Sequence, residues 1–134
     1  MSTRPHSTPP YLSCLVGLFF LLSAACDSGE GANNTVELML SDLPSSAGSP
    51  STDVWHSSGW EADWLAYPGD TLLRVPHGLG RVPVSVEAYI SFSQDGFAAG
   101  IASGDLARIV SVDATHIALE NGTQQDLFLR LVLR

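Results

Sequence analysis

Lysine is absent from all 134 residues, and cationic charge is scarce throughout the chain. Six arginines stand against fourteen acids, for a formal net charge of −8. Nucleic-acid binding needs clustered cations on phosphate, so that class is excluded. Electrostatic docking on anionic lipid is excluded for the same reason. Beyond Arg4, the residues Arg74, Arg81, Arg108, Arg130 and Arg134 are scattered singly and read as solvated strand faces. Cysteine is nearly as rare, with Cys14 and Cys26 alone. Neither a cysteine pair nor His-Glu-x-x-His occurs, and His56, His77 and His116 sit apart, so no metal site is expected. The alternating Asp-rich calcium loop is missing, as is Gly-x-Ser-x-Gly, and no cofactor is implied. After residue 26 no segment carries a helical period of useful length.

What the chain does have begins at its N-terminus. An apolar run spans residues 11–25 behind Arg4 and the pair Pro9-Pro10. As a helix it would reach about 22 Å, short of the roughly 30 Å hydrocarbon core. A basic start, a short apolar middle and small residues before a cut describe a signal peptide over residues 1–25. Leu21-Leu22-Ser23-Ala24-Ala25-Cys26, followed by Asp27, resembles the processing site of a bacterial lipoprotein. Ser23 stands where that pattern prefers leucine.

The resemblance implies lipidation of Cys26 as the first mature residue and a membrane-anchored place in the bacterial cell envelope. An ordinary signal peptide cleaved at an Ala-x-Ala-like site is the alternative, with Cys26 incidental. Cleavage at either place leaves one cysteine, and hence no intramolecular disulfide. Several acyl chains would make the anchor effectively permanent.

Composition divides the rest. Residues 27–70 carry eight acids and no arginine, whereas residues 71–134 carry six acids against five arginines. The Ser-, Gly- and Pro-rich stretch 26–52 reads as a disordered tether, too poor in apolar area to offset chain entropy. Within it, Val36-Glu37-Leu38-Met39-Leu40 is apolar enough to add a strand or to remain in the tether.

From residue 53 to 134 the period is two. Val84, Val86, Ala88, Ile90 and Phe92 alternate with Ser85, Glu87, Tyr89 and Ser91, and Leu127, Leu129, Leu131 and Leu133 repeat the pattern. Residues 108–112 and 116–120 read as a hairpin across Asp113-Ala114-Thr115, and residues 71–75 as a strand after the Pro68-Gly69-Asp70 turn. Asn121-Gly122 supplies another turn, both residues tolerating positive φ. The fold class is all-β: a small antiparallel β-sandwich or barrel. Self-association as a homo-oligomer would cover its sheet edges.

Residues 71–83, Thr-Leu-Leu-Arg-Val-Pro-His-Gly-Leu-Gly-Arg-Val-Pro, lead into the strand at 84–89. This segment resembles the strand, His-Asn-Leu-Gly, Pro, strand stretch of small β-modules in phage tail fibres and bacterial surface proteins. Residues 113–119 and 129–133 fit their later strands, so the likeness spans about residues 58–134. Gly78 stands where those modules often carry Asn. Such modules are mostly structural or binding elements that often trimerise, and the resemblance implies no catalytic residue.

Two sets of side chains remain as site candidates. His77 or His56, with a nearby acid, would be the base of a small hydrolase; the plain reading of His77 is a turn histidine bonded to backbone. All three tryptophans, Trp55, Trp60 and Trp64, lie within ten residues, beside Tyr67 and the acids Glu61, Asp63 and Asp70. Indole faces beside carboxylates suit a glycan. On one strand Trp60 and Trp64 would share a face. The alternative is that they plug the core, and on balance at least Trp60 or Trp64 is expected to be buried. The expected function is a non-catalytic structural or binding role at the envelope, with a glycan or an envelope protein as ligand.

Overall fold

The computed structural model describes residues 34–51 and 53–134. The signal peptide, Cys26 and the first part of the tether lie outside the described residues. Ten strands, in chain order, are β1 (Asn34–Glu37), β2 (Gly48–Ser51), β3 (Val54–His56), β4 (Leu65–Tyr67), β5 (Thr71–Pro76), β6 (Val86–Ser91), β7 (Gly100–Ile101), β8 (Arg108–Val112), β9 (His116–Asn121) and β10 (Leu127–Leu133). Only two short 3-10 turns, Leu40–Asp42 and Gly104–Leu106, interrupt them among the described residues. No helix there is long and apolar enough to cross a membrane.

The strands form two sheets, one in the order β1-β5-β9-β8, the other β2-β3-β10-β6-β7 with β4 also paired to β10. The core lies between them. Leu73, Val75, Ile117 and Leu119 enter it from the first sheet, and Trp55, Leu65, Tyr67, Ala88, Leu127, Leu129, Leu131 and Leu133 from the second. The period of two accounts for this directly, since alternate side chains of a strand share one face. Val86, Ala88 and Ile90 face inward opposite Leu133, Leu131 and Leu129. At the flanks of β6, Val84 and Phe92 pass beyond the paired region and are exposed. All five residues of the edge strand β8 are exposed.

The stretch read as a tether requires correction. Its described part belongs to the sandwich: β1 pairs in parallel with β5, from Asn34 against Thr71 to Glu37 against Arg74. The Ser/Pro-rich β2 pairs antiparallel with β3. Both are edge strands, and an edge strand is held through backbone hydrogen bonds that need no apolar side chain. Among the described residues, two acids of the first half reach arginines of the second, Glu37 to Arg74 and Asp53 to Arg81, each at 3.7 Å.

Asn121 is a second correction. It closes β9 with no positive φ and is fully buried. Its amide donates to the carbonyls of Tyr67, Pro68 and Gln125, while Oδ1 accepts from Thr123 N and Oγ1. The side chain thus ties the β4–β5 and β9–β10 connections together, and the positive φ falls instead at Asp70 in the β4–β5 connection.

Candidate ligand-binding surface

β10 is paired along one side by β6, but its other side is shared by β3 and β4. His56 pairs with Val132, and the next pairing on this strand is Leu65 with Leu129. Residues 57–64 therefore leave the ladder and fold over the outer face of the sheet, opposite only Arg130 and Leu131. Buried Ser57 pins the departure: its N–H donates to Leu131 O at 3.1 Å, and Leu131 N donates to its Oγ at 2.9 Å. Gly59 N donates to Ser46 Oγ at 2.9 Å, and Trp64 N donates to Gln94 O at 2.9 Å. The excursion is thus tied at both ends and in its middle.

Arg130 points out of the core, between inward-facing Leu129 and Leu131, directly across from Tyr89. It is only 4% exposed, which corrects its reading as a solvated arginine. The guanidinium lies 4.1 Å from the Trp60 ring centre and 5.9 Å from that of Tyr89, within cation–π reach of both. Nε donates to Ser58 O at 2.9 Å. Nη1 is buried without a hydrogen-bond partner among the described residues. Burial draws the guanidinium below its usual pKa, opposed by Tyr89 and Glu87. The group stays charged, as arginine does in proteins.

Trp60 meets Tyr89 edge-on at 5.0 Å and Trp64 at a tilt, 5.7 Å between ring centres. The Tyr89 hydroxyl donates to Glu87 Oε2 at 3.0 Å, and Glu87 is ion-paired with Arg134. These bonds, first that from Arg134 and then that from Tyr89, hold the Glu87 carboxyl below its ordinary value.

The tryptophans therefore separate. Trp55 and Trp64 are each 2% exposed and Tyr67 is fully buried, so none of the three offers a ring face to a ligand. Trp55 fills the core opposite Leu133, while Trp64 packs against Gly96, where any Cβ would come within 2.6 Å of the indole. Trp60 is 53% exposed. The expectation that Trp60 or Trp64 would be buried holds through Trp64. The shared strand face expected for the pair is corrected: neither residue lies on a strand, and the two rings meet only at a tilt, one buried and one half in water. Tyr89, Arg130 and Glu87 join Trp60 although the sequence did not single them out. Tyr89 and Arg130 occupy the polar phase of two strands, and only the β6–β10 register brings them together.

Of the histidines, His77 is placed elsewhere and His56 at the flank of this cluster. Buried His77 has its Nε2 3.1 Å from the main-chain oxygen of Asp113, and its N–H donates to Thr115 O at 2.7 Å. Its environment is that of a turn histidine bonded to backbone. Desolvation lowers its pKa against the opposing pull of Asp113. His56 flanks the Arg130 cluster and is lowered by burial and by the Arg130 charge. Among the described residues neither imidazole hydrogen-bonds a carboxylate, and no cluster of three metal-ligating side chains occurs. A groove of about 480 Å³ between residues 40–48 and Trp55 carries no titratable side chain.

The fold is a two-sheet β-sandwich with an aromatic and cationic cluster on one outer face. Comparison with known proteins found no matching family model, no matching curated protein and no matching solved structure.

Proposed function

We propose that the chain is a non-catalytic binding module of the bacterial cell envelope, anchored through a lipid on Cys26, that takes a glycan on the Trp60 surface. The observation that carries this reading is the half-open indole of Trp60, fixed from beneath by Arg130 and from the side by Tyr89. An aromatic face held in water loses little further freedom on binding, so stacking of a sugar ring is not offset by ordering the loop. The Glu87 carboxylate and the exposed acids Glu61 and Asp63 supply acceptors for hydroxyls around it. The anchor reading is supported by the apolar run and small residues that precede Cys26.

The test is a screen of the full-length protein, extracted in detergent, against oligosaccharides, with Trp60→Ala as the control. Binding should fall at least tenfold in the variant while its melting temperature stays within a few degrees. Undiminished binding by Trp60→Ala, or no glycan bound by the wild type, overturns the reading. For the anchor, Cys26→Ser should stop partitioning into detergent. An unmodified Cys26 in the intact mass of the mature protein would refute it.

A further inference from the structure

The loop joining β6 to β7 is fastened more tightly than an exposed connection requires. Ser93 N donates to Ser91 Oγ at 2.9 Å, and Ser91 Oγ donates to Phe97 O at 2.8 Å. Asp95 Oδ1 accepts from Ser93 Oγ at 2.6 Å and from Phe97 N at 3.0 Å. Gly96, at φ +74°, lies against the Trp64 indole, and Gly96 N donates to Ser93 O at 3.0 Å. Ala98 holds a positive φ of 54°, a strained conformation for a residue with a Cβ. This framework holds Phe92 and Phe97 out into water, 75% and 77% exposed, with exposed Ile101 following on β7. Burying those rings against the body of the domain would be favourable, yet the loop directs them away from it.

The same end of the sandwich receives the chain from Cys26. Ser91 pairs with Phe128, and Leu127 pairs with Tyr67, so the loop leaves β6 beside the β4–β5 crossover. That crossover carries Asp70, whose carbonyl accepts from Asn34 N, and Asn34 pairs with Thr71. Asn34 stands eight residues after Cys26. Chain geometry limits that span to about 29 Å even when fully extended. A lipid on Cys26 would therefore keep this end within that distance of the bilayer.

We propose that Phe92 and Phe97 insert into the bilayer interface and set the domain upright on the membrane, its β1-entry end inward. The inference rests on the lipid anchor of the proposed function. Aromatic rings suit the headgroup boundary. With Asp70, Asp95 and Asp126 at this end, and Arg108 there ion-paired with Glu120, the contact is apolar and takes a zwitterionic surface.

On the lipoprotein reading, a cysteine introduced into the mature chain is its one free thiol. Ala99→Cys, beside the loop, and Ser85→Cys, at the other end of β6, are labelled with an environment-sensitive fluorophore. Each full-length protein is purified from membranes and reconstituted in phosphatidylcholine vesicles. The label at 99 should shift to the blue and be quenched at least threefold more by brominated lipid than the label at 85. Adding Phe92→Ser and Phe97→Ser to Ala99→Cys should abolish the difference. Equal, water-like labels on a protein whose intact mass carries the lipid overturn the docking alone. A mass without lipid overturns the anchor and, with it, this proposal.

Discussion

The two faces of β10 bury side chains to a similar degree by opposite chemistry. On one face Leu127, Leu129, Leu131 and Leu133 are almost wholly enclosed between the sheets. On the other, Arg130 and Val132 are buried as well, Arg130 beneath a loop that carries Trp60. The first face is dry, apolar and continuous. The second encloses a cation whose contacts are two aromatic rings and a carbonyl oxygen. Alternation along a strand tells which residues share a face; it does not tell which face meets water.

The comparison can be broken by substitution. Leu131→Ala should have the largest effect, about 2–5 kcal/mol lost in denaturant unfolding, because the core between two sheets can close only partly around the cavity. A loss under 1 kcal/mol would mean that the inner face is not the one that holds the domain together. Arg130→Ala should cost about 1–3 kcal/mol, through the lost support under Trp60 and the lost bond to Ser58. Arg130→Met should come within about 1 kcal/mol of wild type, since removing a desolvated charge offsets the lost contacts. If methionine costs as much as alanine, the guanidinium itself fastens the loop and the outer face is as specific as the inner one.

Trp60→Ala should change stability by less than about 1 kcal/mol, its ring being half in water already. A drop as large as that of a core residue would place Trp60 on the structural side of the comparison. The smallest effect is in titration. His56 lies across from Val132 on the outer face, and burial and the Arg130 charge lower its pKa from 6.5. The unfolded chain therefore binds a proton on His56 that the fold resists. The stability this group contributes is complete above about pH 6.5 and declines as pH falls toward the lowered value. In Arg130→Met the His56 pKa, followed by NMR, should move upward. A value unchanged in the variant would detach the histidine from the cluster.

These contrasts also mark how far the sequence could be read. β5, β6, β8, β9 and β10 were legible because each carries a period of two between turn residues. β1 was legible in part, since Val36 and Glu37 of the apolar stretch 36–40 lie in it while residues 38–40 pass beyond it. β2 was not, since an edge strand formed through backbone bonds leaves no apolar signature in a run such as Gly48-Ser49-Pro50-Ser51. The concentration of tryptophan around residue 60 was visible as a candidate site. The division of labour within it was not, because it depends on where residues 57–64 leave the ladder and on what the β6–β10 register sets beneath them.

The divided edge of β10 has a consequence for how this fold can vary. β3 and β4 each keep their own register with β10, so the chain can lengthen at residues 60–63, between pinned Ser57 and buried Trp64, without moving the side chains between the sheets. Doubling the length of a surface connection costs only about 0.6 kcal/mol in closure entropy. The insertion point lies over the exposed indole, where added residues would reshape a contact surface while both sheets stay as they are. Variation in what such a domain recognises is therefore expected to accumulate as changes in length at this one place, ahead of substitutions in the strands that carry it.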